Sequence, residues 1–243
     1  MDSSRRAYTR LSVEQRRAQL LASAIGLFGH RNPDDVSVDD VAVAAGVSRP
    51  LVYRYFPGGK QQLYEAALRN AADELRMCFV EPPEGEMTQR LSNAIDRYLR
   101  FVDEHDAAYS ALLRGGSVAE TSRTNAIVDE VRRAAAEEIL GHLGAPAPGP
   151  RLAMMVRSWI ASVEAVSLTW IDEGKRPAAA ELRGWLVDHF IALLLVSSTT
   201  DEETAEVARA ALAQESKGSP AGDLARRVMP LAEAVAHLLP PLP

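Results

Sequence analysis

A single cysteine, Cys78, stands in 243 residues, so no intrachain disulfide can staple the fold. Its thiol is expected to be a buried structural group rather than a redox sensor. Aromatic residues make up only 6% of the chain, and no stretch alternates apolar and polar residues as a half-buried strand does. No apolar run approaches the ~18–20 residues of a membrane span, and the N-terminus carries no hydrophobic signal segment. A soluble, cytoplasmic protein without membrane association is the expectation. Catalytic signatures are also missing. There is no Gly-x-Ser-x-Gly elbow and no His-Glu-x-x-His pair, and Gly58-Gly59-Lys60 lacks both the earlier glycine and the following Ser/Thr of a phosphate loop. No repeated His/Asp/Glu geometry points to a metal and no charge cluster points to an anionic ligand. The chain is expected to be no enzyme and to hold no cofactor.

Apolar residues supply 47% of the chain, with alanine and leucine dominant, which favours an all-α protein with a sizeable core. The net charge is −6, but its distribution is uneven: residues 1–60 hold nine Lys/Arg against six Asp/Glu, and the remainder eighteen against twenty-seven. A basic head on an acidic body confines attraction for polyanions to one end.

Within that head, residues 37–56 read as two short helices joined by a glycine turn. Ser37 followed by Asp40 is a capping-box start, and Val38, Val41, Ala42 and Ala45 form a narrow buried stripe. Gly46 supplies the left-handed residue of a sharp turn, Val47 plugs the corner, and Ser48 is a second N-cap with Pro50 in the first turn. Val47, Val52 and Phe56 anchor the second helix, leaving Arg49, Pro50, Leu51, Tyr53 and Arg54 outward. Arginine can fork onto guanine O6 and N7, apolar Pro50 and Leu51 suit a thymine methyl, and tyrosine hydroxyls suit phosphates. Lys60, after Pro57-Gly58-Gly59, is a further phosphate anchor. A helix so equipped fits the DNA major groove. A solvated helical hairpin is the plain alternative.

The run Ala44-Ala45-Gly46-Val47-Ser48-Arg49-Pro50-Leu51-Val52-Tyr53-Arg54-Tyr55-Phe56, then Lys60 and Leu63, resembles the TetR/AcrR family of bacterial transcriptional regulators. The likeness is strong over residues 12–65 and extends further only as helical layout. Gly58-Gly59-Lys60-Gln61 departs from the commoner Ser/Asn and Lys-Glu of the family, which weakens the cap of the following helix. The resemblance implies a three-helix helix-turn-helix head and a larger helical effector and dimerisation body. It puts Ser37 and Ser48 on phosphate, Arg49, Pro50, Leu51, Tyr53 and Arg54 on bases or their backbone, and Tyr55 and Lys60 as phosphate clamps.

The rest of the chain divides by composition. The head is assigned to 1–58, the body to 59–198 and a C-terminal extension to 199–243. Arg5, Arg6 and Arg10 lie in a polar arm suited to a minor groove or to disorder. A first helix runs from Ser12 and Gln15 to about residue 30, burying Leu20, Leu21, Ala24, Ile25, Leu27 and Phe28, with Arg16 and Arg17 toward phosphate or solvent. A helix over 60–80 is the natural lever between head and body. Further helices are expected over 88–104, 106–114, 118–143, 151–173 and 178–197. The last two, the eighth and ninth, are apolar enough to pair with their copies in a homodimer, unless the monomer's own core consumes both stripes. In the extension, helices over 201–214 and 223–239 flank a linker at 217–222. Leu224, Val228, Leu231, Val235 and Leu238 form a seam interrupted by Pro230, and the tail is expected to dock on the body or dimer.

By resemblance, the body encloses an effector pocket between its fourth and eighth helices. Its candidate apolar lining is Leu75, Tyr98, Phe101, Tyr109, Leu112, Leu113, Met154 and Trp159. The polar candidates are His105, Arg114, Arg157 and Ser158. A hydrophobic small molecule suits that lining. The reading as a whole is a homodimeric repressor on a double-stranded, palindromic DNA operator, its heads about 34–36 Å apart, released by the effector. A helical effector-binding or interaction protein without DNA binding, or a helical enzyme, are the alternatives.

Overall fold

The computed structural model describes residues 11–82, 84–114 and 121–236, and among them there are helices and no strand. The basic arm with Arg5, Arg6 and Arg10, the expected helix stop at Gly115-Gly116, and Leu238 lie outside the described residues, as does the start placed at 118. Eleven α-helices are described: α1 (Val13–His30), α2 (Val38–Ala44), α3 (Arg49–Tyr55), α4 (Gly59–Phe79), α5 (Met87–Glu104), α6 (Asp106–Arg114), α7 (Ser122–His142), α8 (Pro150–Asp172), α9 (Ala179–Ser198), α10 (Glu202–Leu212) and α11 (Pro220–Ala236). Contacts group them into two compact units, residues 1–71 with 105–127, and 72–104 with 128–243. These are not the sequence boundaries drawn from composition. α4 and α7 are continuous across the divisions, because helical hydrogen bonding follows the chain rather than the core it serves.

In the first unit, α1 starts on a reciprocal cap. Ser12 Oγ accepts from Gln15 N at 3.1 Å and Gln15 Oε1 from Ser12 N at 3.0 Å. Leu20, Ala24 and Phe28 on one face of α1 are buried with Val38, Val41, Val52, Phe56, Leu63 and Tyr64, while Leu21, Ile25 and Leu27 pack at the margin. The Phe28 and Tyr64 rings meet edge-on with centroids 5.2 Å apart. A short 3₁₀ turn, Pro33–Asp35, capped by Asn32, precedes α2 and was not expected from the pattern. Gly46 has φ +65°, and the amide of Val47 returns to Ala42 O at 2.9 Å, closing the turn as the glycine required.

In the second unit, α9 packs against α5, α8, α10 and α11. α8 buries Leu152, Met155, Val156, Trp159, Val163 and Trp170, and both indoles are satisfied, Trp159 Nε1 donating to Leu186 O at 3.1 Å and Trp170 Nε1 to Pro177 O at 2.8 Å. One expectation is corrected here. By length and composition α8 could cross a bilayer, with mean hydropathy 1.2 over a span-length window that is 33% buried. No unbroken apolar run of that length exists in α8, since Arg157, Glu164 and four Ser/Thr residues interrupt the stretch from Leu152 to Ile171, but only two of these six are charged. The core helix of a globular fold has the same composition, and α8 uses its apolar stripe against its neighbours.

The C-terminal extension docks on the body, α10 against α8 and α9 and α11 against α5 and α9. α11 begins at Pro220 and passes through Pro230, earlier than expected. Ser219, almost fully buried, receives Gly222 N on its Oγ at 3.1 Å, with Pro220 at the position where a missing N–H costs nothing. Gly222, expected in a linker, lies in the first turn of α11, where a Cβ would meet Ser216 O at 2.5 Å, so backbone approaches backbone. Val228 of the expected seam is exposed and does not join it, and the side chains of Leu231 and Val235 lie outside the described set.

The join between extension and body is a carboxylate exchange. Glu215 Oε1 accepts the Thr88 amide at 2.9 Å and its Oε2 the Thr88 hydroxyl at 2.6 Å, while Glu86 Oε1 accepts Ser216 N at 2.9 Å. Thr88 is fully buried in the first turn of α5, where amides have no intrahelical acceptor and negative charge is stabilising. Glu215→Ala leaves those buried donors unmet and is expected to lower stability by about 1–3 kcal/mol, read as a lower urea midpoint at unchanged slope. In the head, Gly46→Ala meets no atom within 4 Å yet is expected to lose about 1–2 kcal/mol from left-handed strain alone, seen in the same titration.

Candidate nucleic-acid interface

α3 is only seven residues long, Arg49–Tyr55, too short to persist without tertiary support. That support is Val52 and, one turn on, Phe56, both with no solvent exposure. The Arg17 guanidinium lies 4.6 Å from the Phe56 ring centroid, and Gln19 Nε2 donates to Ala45 O at 2.9 Å, tying α1 to the turn. Arg17 therefore acts on the head's own core. With residues 52 and 56 inward, helical periodicity turns 49, 50, 53 and 54 outward. Arg49, Pro50, Tyr53 and Arg54 are exposed, and Leu51 half-buried.

The outward groups are not independent. Arg49 Nη1 donates to Asp39 Oδ2 of α2 at 2.9 Å, and its Cζ sits 5.7 Å from the centroid of the Tyr53 ring. Tyr53 first, then Asp39, hold the guanidinium above its ordinary pKa. Tyr53 in turn lies against Gly59, whose φ is +59° and where a Cβ would stand 3.0 Å from Tyr53 Cε1. The glycine that departs from the commoner motif is thus the one that makes room for the phenol.

The other expected contacts are placed differently. Ser37 is engaged in its own capping box, Oγ donating to Asp40 Oδ2 at 2.5 Å and the Asp40 amide donating to Oγ at 3.1 Å. The Ser37 hydroxyl, then the Ser37 amide donating to Oδ2 at 2.8 Å, and Arg31 more weakly, hold the Asp40 carboxyl below its usual range. Ser48 precedes α3 but its side chain makes no capping bond, a correction to the expected second cap. The next residue but one is Pro50, which has no N–H, and the Leu51 amide is taken by Ser48 O at 3.0 Å. Tyr55 packs half-buried on the head core, so its ring is shared with packing. Lys60 Nζ donates to Asp34 O at 3.1 Å, an anchorage the sequence pattern did not reveal. Asp39 was also missed: capping accounts for Asp40, and nothing in the spacing says where the adjacent carboxylate goes.

The effector candidates are divided. His105, Tyr109, Leu112 and Leu113 belong to the first unit, while Leu75, Tyr98, Phe101, Met154, Arg157, Ser158 and Trp159 belong to the second. The Arg114 side chain lies outside the described set. Within the second unit Tyr98 and Trp159 are buried, Trp159 edge-on to Phe190 at 5.0 Å. Met154, Arg157 and Ser158 stand on the exposed face of α8 rather than in an interior. With 155, 156 and 159 inward, 154, 157 and 158 point out, and Ser158 Oγ bonds back to Met154 O at 2.6 Å. Cys78 is half-buried, its thiol pushed up by burial and donating to Glu74 O at 3.6 Å. An open groove of about 610 Å³ between α9 and α11 is lined by Trp185, Glu181, Asp188, Asp223, Arg226 and Arg227, with Ala180 and Gly184, and includes none of the candidates.

Comparison with known proteins bears on this geometry. Residues 20–67 match the family model for bacterial regulatory proteins of the tetR family, and residues 87–193 that for the tetracyclin repressor-like C-terminal domain. The crystal structure of a TetR-family transcriptional regulator from Streptomyces coelicolor is 49% identical, covering 92% of this chain and 100% of that one with a TM-score of 0.87. The HTH-type transcriptional activator FasR of Mycolicibacterium smegmatis is 30% identical over 115 residues, 46% of this chain and 51% of FasR. The HTH-type transcriptional regulator EthR of Mycobacterium tuberculosis is 39% identical over 80 residues, 32% of this chain and 37% of EthR. The chain thus spans about half or less of these two curated relatives. With a head of this construction, both family domains and a full-length structural counterpart, the chain belongs to the TetR family of DNA-binding transcriptional regulators.

Proposed function

We propose that the chain is a cytoplasmic homodimeric repressor that seats two copies of α3 in successive major grooves of a palindromic operator and releases them when a hydrophobic small molecule binds the body. The observation carrying the DNA half is the outward Arg49–Tyr53 face on its buried Val52–Phe56 footing. Arg49, Pro50, Leu51, Tyr53 and Arg54 would meet bases or backbone, and Ser37, Ser48, Tyr55 and Lys60 would meet phosphate. The match to FasR, a transcriptional activator, favours activation as the second reading of the sign. A promoter reporter with and without the gene distinguishes the two.

Dimerisation is supported by what the monomer leaves uncovered. α9 buries Leu182, Leu186, Val187, Phe190, Ile191 and Leu194, yet Trp185 remains 50% exposed and Val196 68%, and Met154 on α8 is 61% exposed. A helix apolar on nearly every side belongs inside an assembly, and a second copy of α8 and α9 offers the complementary surface. For the effector, Leu75, Tyr98 and Phe101 are the candidate walls in the body. The ligand would lower DNA affinity only through its differential affinity for the two states, with α4, continuous between the units, as the lever.

Arg49→Ala or Tyr53→Ala is expected to weaken binding to a selected operator about ten- to a hundredfold, measured by fluorescence anisotropy. Lys60→Ala should weaken every duplex alike and lower the salt slope by about one; unchanged affinity in all three variants removes α3 from the interface. Trp185→Glu combined with Val196→Glu should convert a dimer to a monomer in sedimentation velocity while leaving the helical circular dichroism in place. A dimer that survives both charges lies on another surface.

A further inference from the structure

Beside Arg49 stands a carboxylate, that of Asp39 on α2. A carboxylate on the face of a helix-turn-helix that meets phosphates opposes binding to every duplex. Asp39 is such a group, 59% exposed in its side chain and paired with Arg49, itself 56% exposed. Capping does not explain it, since the Ser37 amide and hydroxyl both go to Asp40. Nor does packing, because its neighbours Val38 and Val41 provide the inward face of α2; the first turn of α2 favours negative charge in general, which does not account for the aim of Asp39 at Arg49.

The geometry of the pair is specific. Asp39 Oδ2 takes one donor, Nη1, at 2.9 Å, and the Tyr53 ring stands beside the guanidinium with 5.7 Å between Cζ and the centroid. The ring is itself backed by Gly59, where even a methyl group would come within 3.0 Å of it. Arg49 is therefore held between a carboxylate on α2 and a phenol one turn along α3. A guanidinium has five donors in a fixed planar fork, so one edge can remain on a carboxylate while another meets the two acceptors of a guanine. A group that weakens binding to all sequences and orients the group that reads one sequence is a device for discrimination.

We infer that Asp39 is a specificity-determining positioning residue, which fixes the Arg49 guanidinium for a two-acceptor base edge and penalises duplexes that do not offer one. The inference rests on the proposed contact of α3 with the major groove. In the bound state the Asp39 charge is compensated only while Arg49 stays beside it. A base edge presenting a donor pushes the guanidinium away, leaving the carboxylate uncompensated among phosphates.

The test uses the full-length chain, a duplex enriched by that chain from a randomised pool, and an unrelated duplex of equal length at one salt concentration. Asp39→Asn keeps the shape and removes the charge. It is expected to tighten binding to the unrelated duplex severalfold while failing to tighten the enriched one, lowering the ratio of the two affinities by about tenfold, the size of one oriented base contact. Arg49→Lys, a point charge without a fork, should lower the ratio similarly, and the double variant should fall little further, since each change removes the same oriented group. Thermal melting of each variant checks that the head is folded. If Asp39→Asn tightens both duplexes by the same factor, Asp39 is only a repulsive charge and the inference is overturned. Fully additive losses in the double variant overturn it as well. A chain that enriches no duplex at all, or an Arg49→Ala variant with an undiminished ratio, overturns the major-groove reading itself, an outcome separate from the first two.

Discussion

The burial of two side chains, Val52 and Phe56, governs the head. Both are sealed from solvent, and they stand one turn apart on an element of seven residues. A helix that short has no stability of its own, so it exists only in the rotation that keeps those two groups inside. Which residues face outward is then not free. A slip of one residue would bury Tyr53 and expose Val52, exchanging a polar hydroxyl for an aliphatic group at the core. The turn enforces the same register from the other side, since Gly46 and the return bond from Val47 to Ala42 O set where α3 begins.

In the body the analogous constraint is the N-terminus of α5. The amide and hydroxyl of Thr88 are buried and must find acceptors, and the acceptors arrive from residue 215, more than a hundred positions later. The extension is therefore part of how α5 is finished, and a body ending near residue 198 would leave that helix start without its carboxylate. Arg227 on α11 meeting Asp188 on α9 at 2.8 Å adds a second tie, but both side chains reach solvent, and exposed pairs add little.

Features that act within four residues of one another were legible from the sequence. Ser12 with Gln15, Ser37 with Asp40, and the positive φ at Gly46 all follow from local rules that need no knowledge of the fold. The inward stripe of α1 followed from periodicity, and so did the outward face of α3. Long-range partners were not legible. Asp39 beside Arg49, Asp34 O beneath Lys60 and Glu215 on Thr88 each depend on how separate elements meet, and no spacing encodes that. Ser48 failed for a subtler local reason, since the proline that marks the helix start also removes an amide the cap would have used. Met154, Arg157 and Ser158 face out because Leu152, Met155, Val156 and Trp159 together turn one side of α8 inward, and apolar composition alone does not say which side that is.

The charge distribution in the head bears on how such a protein discriminates. Its surplus of positive residues is only three, and part of it is spent internally: Arg49 on Asp39 at 2.9 Å, Arg31 near Asp40 at 3.7 Å, and Lys60 on a backbone carbonyl. A head so nearly balanced attracts an arbitrary duplex weakly, because non-specific affinity follows the number of phosphates neutralised. The acidic body, with twenty-seven Asp/Glu against eighteen Lys/Arg beyond residue 60, opposes that attraction further. Affinity must then come from contacts made only when geometry is right, and a fixed arginine beside a carboxylate is better suited to that than a mobile lysine, whose charge would be welcome on any phosphate.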